Sequence, residues 1–66
     1  MMLDAYYAEC RAIHANLTAI AEEMRNMAFA KCATPDNPRF EVLLKKQTDH
    51  LARLAELDEE AAPLIS

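Results

Sequence analysis

Residues 3–31 read LDAYYAECRAIHANLTAIAEEMRNMAFAK, and within them Leu3, Tyr6, Cys10, Ile13, Leu17, Ile20, Met24, Met27 and Lys31 follow one another at alternating steps of three and four. That spacing is the seam of an amphipathic helix in heptad register. No Gly or Pro interrupts it, so a first helix is expected from about residue 3 to residue 32, about 45 Å long at 1.5 Å per residue. On the opposite face Ala5, Ala8, Ala12, Ala15 and Ala19 repeat the same steps. Alanine is the best helix former and suits a solvated back, or its small side chains let another helix backbone approach closely along it.

Downstream, Ala33-Thr34-Pro35-Asp36-Asn37-Pro38 gathers two prolines with Asp and Asn, the chemistry that ends one helix and starts another. A turn is expected over 33–37, with Asn37 as the cap and Pro38 in the first helical position, where its missing N–H costs nothing. Thr34 followed by Pro35 is the competing start. The second helix, about 38–62, carries Phe40, Leu43, Leu44, Gln47, Leu51, Leu54 and Leu57 on one broad face. It is expected to stop before Pro63.

Two helices joined by about five residues must turn back on each other. The expected fold is therefore a single all-α domain over 1–66, an antiparallel, coiled-coil-like two-helix hairpin. Pairing positions whose numbers sum to 71 sets Met27 by Leu44, Met24 by Gln47, Ile20 by Leu51, Leu17 by Leu54 and Cys10 by Ala61. In that register Ile20→Asp or Leu51→Asp would bury an unpaired charge and abolish helicity.

A chain of 66 residues buries only about 60 % of the surface its unfolded form exposes, and a two-helix contact leaves each seam half covered. Completion of a four-helix bundle, by dimerisation or by a partner, is the expectation. Leu43, Leu57 and Leu64 with His50 flank the second seam, Tyr7 and His14 with Ala21 and Ala28 flank the first, and Phe29 and Val42 lie further round as apolar anchors. Tyr7, His14, Phe29, Val42, Leu43, His50, Leu57 and Leu64 are thus the candidate protein-binding residues. The same register brings Glu23 near His50, which would make association sensitive to mild acid.

Composition narrows the class of function. With 53 % hydrophobic residues, three Pro and no Gly, the phosphate-cradling glycine loops of nucleotide enzymes are ruled out. Neither His14 nor His50 has a Cys, His or carboxylate three or four residues after it, as a zinc-binding helix would, so no metal and no cofactor is expected. Paired carboxylates in separated environments are lacking too, and the chain is read as a non-enzyme. Its net charge of −4, from seven basic and eleven acidic residues, opposes a phosphate-tracking surface. Arg39, Lys45, Lys46 and Arg53 are interleaved with Glu41, Asp49 and Glu56. No apolar run approaches the roughly 20 residues of a membrane span, and Asp4 stands where a secretory leader would be basic. Cys10 and Cys32, about 33 Å apart along the expected first helix, cannot bridge, and free thiols suit a cytoplasmic setting.

The hairpin's size and layout resemble the small co-chaperones of type III secretion needle subunits, which pair with a second chaperone. The run from Phe40 to Glu60, FEVLLKKQTDHLARLAELDEE, is similar to helices of flagellar export chaperones. Small phage- or plasmid-encoded hairpins that inhibit or regulate a host protein share this texture. The resemblance implies a protein-binding co-chaperone or adaptor, with a host-protein inhibitor as the alternative. A dimeric hairpin that binds nucleic acid is the rival from another class.

Overall fold

The computed structural model describes residues 2–65, with the side chains of residues 2–64. Two helices, α1 (Leu3–Phe29) and α2 (Pro38–Ile65), run antiparallel and pack along their length. The result is a rod of 45 × 16 × 14 Å with a radius of gyration of 14.8 Å. A compact chain of this size would give about 11 Å. The core is accordingly one seam rather than an interior.

The α1 side of the seam lies where the three-four spacing puts it. Ile13 and Ile20 are buried, and Leu3, Tyr6, Cys10, Leu17, Met24 and Met27 are half-buried, while the alanine stripe at 5, 8, 12, 15 and 19 is exposed. α1 ends at Phe29, short of the expected Cys32, because the chain reverses at Lys31 with φ 61. The Cys32 N–H donates to the Met27 carbonyl at 2.8 Å and the Lys31 N–H to the Ala28 carbonyl at 3.0 Å. This is the double-bonded helix stop that glycine normally supplies. Without a glycine in the chain, a lysine occupies the left-handed position at a cost of about 1–2 kcal/mol.

Asn37 then serves both helices. Its Oδ1 accepts the Arg39 N–H at 3.0 Å, capping α2 with Pro38 in the first position, and its Nδ2 donates to the Cys32 carbonyl at 2.9 Å beyond the end of α1. Thr34 is not the cap; its carbonyl accepts the Asn37 N–H at 3.0 Å. At the far end, α2 continues past Ala62 and carries Pro63 inside its last turn. A proline there removes only its own N–H from a turn whose carbonyls already lack partners.

On α2 the seam differs from the expected one. The inward row is Phe40, Leu43, Gln47, His50, Leu54, Leu57 and Ala61, with Leu43 1 % and Leu57 0 % exposed, whereas Leu44 and Leu51 are exposed. The register also differs. Glu23 pairs with Arg39 and Glu9 with Arg53, both adding to 62, and Tyr6 reaches Asp58, adding to 64. The 71 register is thus displaced by about one heptad. Two adjacent rows of α2 compete for the seam, and the alternative row would turn Asp58 inward. The observed row leaves Asp58 exposed beside Tyr6 and brings both arginines to their glutamates. Glu23, engaged by Arg39, does not stand as the counter-charge of His50.

Candidate protein-interaction surface

The two edges of the seam are chemically unlike. Along one edge of α1 lie Glu9, Asn16 and Glu23, spaced by heptads, and along the facing edge of α2 lie Arg39, Lys46 and Arg53. Arg39 grips Glu23 through Nε–Oε1 at 2.8 Å and Nη2–Oε2 at 2.9 Å. Arg53 grips Glu9 through Nε–Oε2 at 2.6 Å and Nη2–Oε1 at 3.3 Å, and reaches Glu56 at 3.1 Å. Such two-pronged pairs are the strong form of the ion pair. Between the clasps an open groove of about 460 Å³ is lined by Asn16, Glu23, Arg39, Lys46, Asp49 and His50, with Ile20 and Leu43 at its floor. This is the clasped flank.

The other edge carries Tyr7, His14, Ala21 and Ala28 on α1 and Leu44, Leu51 and Asp58 on α2. All seven are exposed, Leu51 at 53 % and Leu44 at 39 %. One polar lock closes this edge near the chain ends, where the Tyr6 hydroxyl donates to Asp58 Oδ1 at 2.8 Å and the Tyr6 and Tyr7 rings stand 5.3 Å apart. The rest is an open flank on which Tyr7, Leu44 and Leu51 are exposed beside His14, Ala21 and Ala28.

The residues nominated from the sequence separate accordingly. Tyr7 and His14 lie together on the open flank. Leu43 and Leu57 are withdrawn from any surface, because they form the hairpin's own contact. His50 is half-buried and lines the groove on the clasped side. Phe29, 80 % exposed at the last residue of α1, and Val42 on the outer side of α2 are exposed as expected but stand apart from that flank. Leu64 is exposed because its turn of α2 extends past Leu3, where α1 begins. Leu44 and Leu51 replace Leu43 and Leu57 on the exposed edge.

Cys10 and Cys32 are both free and half-buried, Cys32 lying beyond the end of α1. Among the described residues there is no cluster of His, Cys, Asp or Glu able to hold a metal ion, and no helix long and apolar enough to cross a membrane.

The locks set a pH dependence. The guanidinium of Arg53 holds the Glu9 carboxyl below its ordinary 4.5, and that of Arg39 does the same for Glu23. Their stabilisation is present above that value and is lost as pH falls through the lowered ones. Tyr6 is pushed from 10.0 up to about 12, chiefly by its hydrogen bond to Asp58. Its contribution is complete below pH 10 and is lost as pH rises through about 12. Thermal melts from pH 3 to 11 are expected to show a plateau from roughly pH 5 to 9.5 with a decline on each side. Tyr6→Phe should flatten the alkaline limb and leave the acid limb intact, and equal limbs in wild type and variant would contradict the lock.

Comparison of the chain with models of known protein families, with curated proteins and with solved structures finds no match.

Proposed function

We propose that this chain is a non-enzymatic protein-interaction module, a co-chaperone or adaptor in the cytoplasm, that binds a helical partner, another protein or a second copy of itself, along its open flank and completes a four-helix bundle with it. The observation that carries this reading is the asymmetry of the seam. One edge is bridged by two arginine–glutamate clasps with a polar groove between them, and the other presents Tyr7, Leu44 and Leu51, all exposed, beside His14, Ala21 and Ala28. Apolar side chains lined up along a rod are the kind of surface a helical partner covers. The role of a host-protein inhibitor would use the same flank.

The ion pairs also bear on nucleic acid. Arg39, Lys45 and Arg53 each have a carboxylate partner within the chain, which lowers the charge they offer to phosphate. With the net charge of −4, this favours a protein as the ligand.

The test is site-specific photo-cross-linking in the source cell, with the reactive group placed at Leu51 on the open flank or at Lys46 on the clasped one. The expected result is a discrete adduct from position 51, identified by mass spectrometry and competed by wild-type chain, and none from position 46. Equal labelling from both positions, or none from position 51, would overturn the reading.

A further inference from the structure

We infer that the occupant of the open flank is a second copy of this chain, related by a two-fold axis parallel to the helices, so that α1 of each protomer lies against α2 of its partner. This inference rests on the open flank being the contact face and adds who covers it and in which arrangement. An axis in that direction leaves every residue at its own height. The α1 of one protomer therefore meets the partner's α2 at the levels at which it meets its own.

Ala21 leaves room for the partner's Leu44 near its own height, and His14 lies beside the partner's Leu51. The outer rim is complementary in charge. Next to the open flank α1 carries Arg11, Thr18 and Arg25, and α2 carries Glu41, Thr48 and Ala55. Within about one helical turn of height, Arg25 comes opposite the partner's Glu41, Thr18 opposite the partner's Thr48 and Arg11 opposite the partner's Ala55. Arg25 and Glu41 are both exposed, and neither forms an ion pair within the chain among the described residues. The other closed arrangement, with the axis perpendicular to the helices, lays α1 on its own copy. Its rim of Arg11 and Arg25 then faces itself. Like charges disfavour that choice.

The experiment is sedimentation equilibrium on the purified full chain, wild type and with Arg25→Glu or Glu41→Arg, with circular dichroism as the control for folding. Wild type is expected to be a dimer. Each swap puts two like-charge pairs into its homodimer and should weaken it about tenfold. Mixing the two variants should restore dimers of wild-type affinity. The introduced glutamate at position 25 of one chain then meets the introduced arginine at position 41 of the other, while the native pair survives on the second side. Arg25→Gln and Glu41→Gln, which add no repulsion, should weaken the dimer about threefold. A wild type that stays a 7.4 kDa monomer at several hundred micromolar would overturn the second copy as occupant and leave the cross-linking test of the flank standing. A dimer indifferent to both swaps, or one that mixing fails to restore, would overturn the arrangement.

Discussion

Leu57→Asp is expected to abolish helicity at micromolar concentration, whereas Leu51→Asp, six residues earlier on the same helix, is expected to leave the hairpin folded. Leu57 is 0 % exposed and is buried together with Ile13, Ile20, Leu43 and Ala61. Replacing it removes a fully buried leucine, at about 2–5 kcal/mol, and desolvates a carboxylate with no buried partner, at a further cost of several kcal/mol. A chain of this length holds roughly 3–10 kcal/mol of stability. The loss therefore exceeds most of what is available, and the cooperative melt should vanish. Leu51 points along the open flank, where a charge meets water, and its direct effect on folding should stay within about 0.5 kcal/mol. Ile20→Asp keeps the disruptive effect expected from the sequence, because Ile20 is buried; Leu51→Asp does not. Circular dichroism at matched concentration distinguishes the two rows of α2. Loss of helicity in Leu51→Asp with retention in Leu57→Asp would mean that the other row is the seam.

Asn37→Ala is the second substitution with a large expected effect. The side chain holds the N-terminus of α2 through the Arg39 N–H and ties it to the Cys32 carbonyl just past α1. Loss of the cap costs about 1 kcal/mol, and loss of the bond to the Cys32 carbonyl, which still accepts the Thr34 N–H at 2.9 Å, about 1 more. About 2 kcal/mol in total should lower the melting temperature by roughly 8–16 °C in a domain this small. Asn37→Asp keeps the acceptor and places a negative charge favourably at a helix N-terminus, but has no donor for Cys32. It should recover about half of the loss. If Asn37→Ala melted with wild type, the turn would owe its geometry to Pro35 and Pro38 alone.

The sequence reveals α1 better than α2 for a physical reason. On α1 every large apolar side chain from Leu3 to Met27 except Tyr7 falls on one row, so only one rotation of the helix buries them. On α2 the neighbours Leu43 and Leu44 start two rows, one continuing to His50 and Leu57 and the other to Leu51 and Asp58. Hydrophobic periodicity is divided between them. The deciding signal is electrostatic. Glu9 and Glu23 are two heptads apart, as are Arg39 and Arg53, and only the row through Leu43 and Leu57 sets these charges edge to edge. Reading the charge spacing together with the apolar spacing would have fixed both rotation and register.

The turn is legible at Asn37 and Pro38 because cap chemistry is local. The end of α1 is not, because the stop depends on Lys31 adopting a backbone conformation that glycine would have announced. The exposed flank inherits the ambiguity of α2. Tyr7 and His14 are assigned correctly to an exposed edge from α1 alone, while Leu44 and Leu51 exchange places with Leu43 and Leu57.

The register is tested most directly with the native Cys10 as the probe. In a Cys32→Ser background, a cysteine is introduced at Leu54, which the observed register sets level with Cys10, or at Ala61, which the 71 register would set there. After mild oxidation of dilute protein, intact mass and non-reducing electrophoresis should show an intramolecular disulfide in the Leu54→Cys chain and free thiols in the Ala61→Cys chain. A bridge from Cys10 to position 61 with none to position 54 would contradict the fold described here and the open flank that depends on it.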